Sequence, residues 1–158
     1  MTIRLREARA DERPVINALI ERAVRTWDLP ERVLRLSVPL YQYDPVAFDE
    51  LIAVVAVDEA DGPVGVATWE PAAPADCPEG SEALLLHGIY VEPEQSRRGI
   101  GRALFEACRE AARAAGRDGV LVKAQGDAAP FFEALGLERL PVVDTDRDYA
   151  RRYWLPVA

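Results

Sequence analysis

Leu86-His87-Gly88-Ile89-Tyr90-Val91-Glu92-Pro93-Glu94-Gln95-Ser96-Arg97-Arg98-Gly99-Ile100-Gly101-Arg102-Ala103-Leu104 carries the strongest structural signal in the chain. It reads as a strand, a proline-containing loop, a glycine turn and then a helix. A helix start offers unpaired backbone N–H groups and the positive end of the helix dipole. Glycine lets an anion reach those groups with no Cβ in the way. Arg97, Arg98 and Arg102 add full positive charge at the same place. The pattern points to a phosphate or pyrophosphate cradle.

The elements on either side follow from periodicity and punctuation. Before the cradle, residues 2–8 alternate as a first strand, and 12–26 repeat Val15, Leu19, Ile20 and Val24 at helical spacing behind an Asp11 cap. A second short helix is expected over 30–37, stopped before Pro39, with an aromatic connection at Leu40–Asp44 and one more turn over 45–50. Residues 51–57 and 64–69 read as a hairpin about Asp61-Gly62, and 84–91 as the strand entering the glycine turn. Beyond it, Ile100, Ala103, Leu104, Ala107, Ala111 and Ala114 predict an amphipathic helix closed by Gly116. Val120–Val122 is a buried strand, Asp127 caps a helix over 128–135 ended by Gly136, and 137–143 and 149–157 are two last strands. The order predicts one α/β domain over residues 1–158, a mixed sheet with helices on both faces.

Composition narrows the partner. The 158 residues carry a net charge of −8, which argues against a general nucleic-acid or membrane-surface binder. One histidine and two cysteines, Cys77 and Cys108, build neither a disulfide framework nor an ordinary zinc site. Asp144, Asp146 and Asp148 lack the remaining ligands of a calcium loop and read as a polar turn, so no metal is expected. No stretch approaches the roughly 18 apolar residues of a membrane span, and the first residues lack a signal-peptide core. A cytoplasmic setting is expected.

Three glycine-turn chemistries compete. A dinucleotide fingerprint wants Gly or Ala where position 104 is Leu, and a P-loop needs a Gly-Lys-Ser/Thr that is absent. The third is a coenzyme A pyrophosphate loop. Here Ile89-Tyr90-Val91-x-Pro93-Glu94-x-x-x-Arg98-Gly99-Ile100-Gly101-x-Ala103-Leu104 resembles the acyl-CoA-binding motif of the GNAT superfamily of N-acetyltransferases. Ala128-x-x-Phe131-Phe132-Glu133-x-Leu135-Gly136-Leu137 is similar to that family's second motif.

The resemblance implies a mostly antiparallel sheet of about seven strands. It implies transfer of an acetyl group from acetyl-CoA to a primary amine, on a small molecule or peptide, by direct attack in a ternary complex. Backbone amides from Arg97 through Arg98, Gly99, Ile100, Gly101 and Arg102 to Ala103 would hold the pyrophosphate. The strand Ile89, Tyr90, Val91 would pair with the pantetheine arm and supply an oxyanion donor. Gln125 and Phe132 stand at further cofactor positions, and a homodimer is a common assembly for the fold. A non-catalytic acyl-CoA-sensing module of the same fold is the alternative. A nucleotide-binding protein using the same turn is a third reading.

The chain departs from the family at Ser96, where Gln or Arg is usual, at Gln125, where Asn is common, and at Phe132, where a Tyr often protonates the leaving thiolate. Tyr149, Tyr153 and Tyr90 are substitutes for that Tyr among which the sequence does not choose. His87 is the candidate base, since an imidazole titrates at about 6.5. Glu50, Glu70, Glu92 and Glu94 are weaker candidates, Trp27, Tyr41 and Tyr43 are candidates for the acceptor pocket, and Cys108 reads as core.

Overall fold

The computed structural model describes residues 2–124, 128–146 and 151–157. The helices are α1 (Arg13–Val24), α2 (Glu31–Tyr41), α3 (Pro45–Glu50), α4 (Ile100–Ala114) and α5 (Ala129–Ala134). The strands are β1 (Arg4–Glu7), β2 (Ile52–Val57), β3 (Pro63–Pro71), β4 (Ala83–Val91), β5 (Gly119–Lys123), β6 (Glu138–Arg139) and β7 (Arg152–Pro156). They form one mixed sheet of seven strands in the order β1-β2-β3-β4-β5-β7-β6. The chain packs as two compact units: Met1–Thr68 with Gly88–Phe105, and Trp69–His87 with Glu106–Ala158.

The first unit is built on α1. Ile16, Leu19, Ile20, Ala23 and Val24 are all buried, one stripe at helical spacing. They share a core with Leu34 and Val38 of α2, Phe48 of α3, Val55 and Val57 of β2, and Val66 of β3. Val15, expected in the stripe, is about half exposed, and Ile16 takes its place. Helix α2 runs on through Pro39 to Tyr41 instead of stopping before it. Proline removes one backbone bond. So near the C-terminus the helix loses little by continuing. The expected Asp11 cap makes no side-chain bond to the helix, and a short 3-10 turn at Ala10–Glu12 leads into α1.

Arg6 on β1 ties these pieces together. It donates to both Glu12 oxygens (2.8 and 2.9 Å) and through Nε to Asp61 (2.9 Å). Arg4 and Arg9 also reach Asp61 (2.9 and 2.6 Å), which sits in the β2–β3 turn at φ +65°. The hairpin is thereby fixed against β1.

In the second unit β5 is flanked on both sides. Ala83–Leu86 of β4 pair with it in parallel, and β7 pairs antiparallel, with Val122 opposite Tyr153. Two glycines stop helices as expected. Gly116 (φ +71°) and Gly136 (φ +94°) each follow a helix end at which the next two N–H groups bond back: Gly116 to Arg113 and Arg117 to Ala112, Gly136 to Glu133 and Leu137 to Phe132.

The buried stripe of α4 is Ile100, Leu104, Phe105, Cys108 and Ala112, while Ala114 is exposed. The alanine-based expectation is rotated by part of a turn, because the bulk of Phe105 decides which side faces inward. Hydrogen bonds pair Glu92 with Val64 and Ala72 with Ala83.

The Glu12 carboxyl lies below the ordinary carboxylate range because of its bonds from Arg6, with burial opposing, and Asp61 lies far below it because of Arg6 and then Arg9. Depressed carboxylates add stability above the unfolded value of about 4 and lose it as pH falls through their folded values. Glu12→Gln is therefore expected to flatten the fall of the melting temperature below about pH 4, read from thermal unfolding across pH 2.5 to 7 in steps of about half a unit.

Candidate functional site

The glycine turn in the first unit is open to approach. Gly99 has φ +78°, and a Cβ built on it would meet nothing within 4 Å. Arg97 also holds the left-handed conformation, at φ +65°. The first backbone bond of α4 runs from Ala103 N–H to the Gly99 carbonyl (3.0 Å), so the N–H groups of Ile100, Gly101 and Arg102 precede the helical ladder. Arg97, Arg98 and Arg102 are exposed, and none has a carboxylate partner among the described residues.

One of the two acids beside the turn is already matched. Glu92 is held by Arg22 of α1 through two bonds of 2.8 and 2.7 Å. The first turn of α4 is seated on β3 where Gly65 leaves room. A Cβ there would lie 2.9 Å from Ile100 and 3.1 Å from Leu104.

Strand β4 leads into this turn with Tyr90 buried and Ile89 and Val91 half-buried. Tyr90 belongs to the core cluster against which Trp27, Tyr41 and Tyr43 pack. Trp27 and Tyr41 meet edge to face at 5.0 Å. Asn17 of α1 fixes the connection that carries Tyr43. Its side chain accepts from the Tyr43 N–H and donates to the Tyr43 carbonyl, both at 2.8 Å. The Tyr43 hydroxyl bonds to Thr68 at 2.6 Å. Burial raises the pKa of both phenols, and Tyr90 is pushed up furthest. The Tyr90 ring folds back over Gly88, where a Cβ would lie 2.8 Å from the ring and 3.0 Å from the hydroxyl. The structure therefore brings all three acceptor-pocket candidates together with Tyr90.

The second unit holds the other candidates. His87, at the end of its β4 segment, has Nε2 2.5 Å from Glu70 Oε2 on β3, and both side chains are partly exposed. Phe132 is buried on α5, edge to face with Phe131 at 5.2 Å. Tyr153 is buried, and its hydroxyl donates to Glu133 (2.9 Å). Burial first and that carboxylate second raise its pKa. Burial pushes the Cys108 thiol up to about 12, as befits a core side chain. Gln125 and Tyr149 lie outside the described residues.

Sequence reasoning missed three partnerships here: Glu70 with His87, Thr68 with Tyr43, and Arg22 with Glu92. Each joins elements far apart in the chain. Among the described residues no group of three or more His, Cys, Asp or Glu is placed to hold a metal ion. No described helix is long and apolar enough to cross a membrane.

A model of the acetyltransferase (GNAT) domain matches residues 49–139. The chain belongs to the GNAT acetyltransferases. A search of the curated proteins finds no match. Solved GNAT structures share the fold along nearly the whole chain. A GNAT family acetyltransferase from Brucella melitensis, in complex with acetyl-CoA, is 18% identical with a TM-score of 0.66, covering 98% of this chain and 88% of that one. The PaiA N-acetyltransferase from Thermoplasma acidophilum, in complex with coenzyme A, is 11% identical with a TM-score of 0.74, covering 98% of both. A GCN5-related N-acetyltransferase from Rhodopseudomonas palustris is 21% identical with a TM-score of 0.71, covering 99% and 95%.

In this GNAT chain the two glycines at either end of the site respond differently to a methyl group. Gly99→Ala meets no atom and is expected to cost only its backbone conformation, about 1 kcal/mol. Gly88→Ala forces the Tyr90 ring aside and is expected to cost about 1–3 kcal/mol. Urea unfolding measures both, and near-UV circular dichroism should change for Gly88→Ala alone.

Proposed function

We propose that the chain transfers an acetyl group from acetyl-CoA to a primary amine by direct attack in a ternary complex, with no acyl-enzyme. The observation that carries this reading is the cradle. A left-handed glycine with open space over it, helix-start amides that precede the helical ladder and three guanidiniums without carboxylate partners among the described residues suit a pyrophosphate. Relatives of this fold that hold acetyl-CoA or coenzyme A support the same ligand.

In this reading the amides of Arg97 to Ala103 and the side chains of Arg97, Arg98 and Arg102 bind the diphosphate. Ile89 to Val91 hold the pantetheine arm through main-chain bonds, and a β4 amide there faces the thioester oxygen as charge develops on it. Gln125 and Phe132 stand beside the cofactor. Trp27, Tyr41 and Tyr43 line the acceptor pocket. His87 accepts the proton that the amine must lose.

Phe132 has no proton to give. Tyr90 and Tyr153 are each shifted toward holding their proton more firmly, so neither is a poised acid. A thiol of pKa about 8.5 leaves tolerably as the thiolate near neutral pH, which removes the need for a dedicated acid. Tyr149 stays in the reading as the remaining phenol.

The test is release of free thiol from acetyl-CoA in the presence of a panel of primary amines. Amine-dependent release is expected. Arg98→Ser and Arg102→Ser should each raise the KM for acetyl-CoA about tenfold, the worth of one lost charged hydrogen bond. Tight coenzyme A binding with no release would select the sensing module instead. Preference for ATP or NAD over coenzyme A would overturn the whole reading.

A further inference from the structure

We propose that Glu70 is a positioning residue for His87, fixing the imidazole so that Nδ1 is the atom that takes the amine proton. The inference rests on the acetyl-transfer reading above. His87 Nε2 and Glu70 Oε2 are 2.5 Å apart. An ionised carboxylate can only accept a hydrogen bond, so Nε2 carries the hydrogen. The neutral ring then has its lone pair on Nδ1, because the bond made by one ring nitrogen sets the state of the other.

The neighbouring charges are committed elsewhere. Leu86 of β4 lies opposite Val122 of β5, so Lys123 is the next residue along the adjacent strand. Lys123 Nζ is 3.0 Å from Asp76 Oδ2. Arg152, opposite Lys123 on β7, donates to the Asp76 and Pro141 carbonyls (2.8 and 3.1 Å). Among the described residues, Glu70 is thus the charged group that bonds the ring. The His87 and Glu70 side chains are 37% and 42% exposed, and pairs so exposed contribute little to stability. A substitution at either should leave the fold intact.

The amine nitrogen bonds to the thioester carbonyl carbon, the C–S bond breaks, and the electron pair leaves with sulfur. The proton shed by nitrogen goes to Nδ1, and the Glu70 carboxylate offsets the imidazolium charge. The proton then passes to the thiolate or to water, and the neutral ring returns.

Since His87 is the only histidine, its ring nitrogens are read without ambiguity by 15N NMR. At about pH 8, where an ordinary imidazole is neutral, the free wild-type protein is expected to show a protonated Nε2 and a bare Nδ1. Glu70→Gln should give an averaged pair of signals. In thiol-release assays Glu70→Gln is expected to lower kcat about tenfold, and His87→Gln about a hundredfold, with KM for acetyl-CoA unchanged in both. The double variant should fall no further than His87→Gln, because the two act as one unit. Identical 15N patterns in wild type and Glu70→Gln, unchanged kcat in Glu70→Gln, or additive losses in the double variant would each overturn the role of Glu70 alone. Absence of any thiol release by the wild type would overturn the acetyl-transfer reading and this role with it.

Discussion

The chain has to pass from the end of β4 into the first turn of α4 while leaving the start of that helix uncovered. Two residues in the left-handed region make this possible, Arg97 at φ +65° and Gly99 at φ +78°. For an arginine that conformation costs roughly 1–2 kcal/mol, whereas glycine adopts it freely. The surroundings hold the strained residue in place. Arg22 grips Glu92 on the entry side, and Ile100 and Leu104 press onto the bare backbone of Gly65 on the exit side. Those two anchors fix the chain on either side of the strained residue.

Charge is distributed to the same end. The chain is acidic overall, and many of its arginines sit against carboxylates. Arg4, Arg6 and Arg9 meet Asp61 and Glu12, a network that serves the β1–hairpin junction and has no chemistry of its own. Arg97, Arg98 and Arg102 are unmatched among the described residues, although Glu94 is close in sequence. In an acidic protein an unmatched cluster of guanidiniums at a helix start leaves a local positive field, screened over about 8 Å at physiological salt. That field acts on an anion at contact and fades beyond it.

What could be read from sequence divides by locality. The glycine turn, the two glycine helix stops and the Asp61-Gly62 hairpin are decided by one or two residues whose backbone must take positive φ, so composition alone reveals them. The α4 stripe was legible in period but not in phase, since Ala103, Ala107 and Ala111 fit inside or outside while Phe105 does not. Pro39 misled because its cost depends on how much helix follows it. Partnerships were hidden altogether. His87 and Glu70 are 17 residues apart, Tyr43 and Thr68 are 25 apart, and Arg6 and Asp61 are 55 apart. Each depends on how separate elements pack against one another, which local sequence pattern does not reveal.

Strand β4 bears on the proposed chemistry as well as on legibility. Gly88, between His87 and Ile89, is the residue over which the Tyr90 ring folds, and a side chain there would push that ring aside. In the proposed reading, main-chain amides of Ile89 to Val91 meet the acyl oxygen, and hydrogen bonds to developing charge are worth more in a low-dielectric setting than in bulk water. The buried Phe132 has no proton to give. That reading therefore asks stabilisation of the transition state of backbone amides and of His87, and leaves the thiolate to depart unaided, which a thiol of pKa about 8.5 allows.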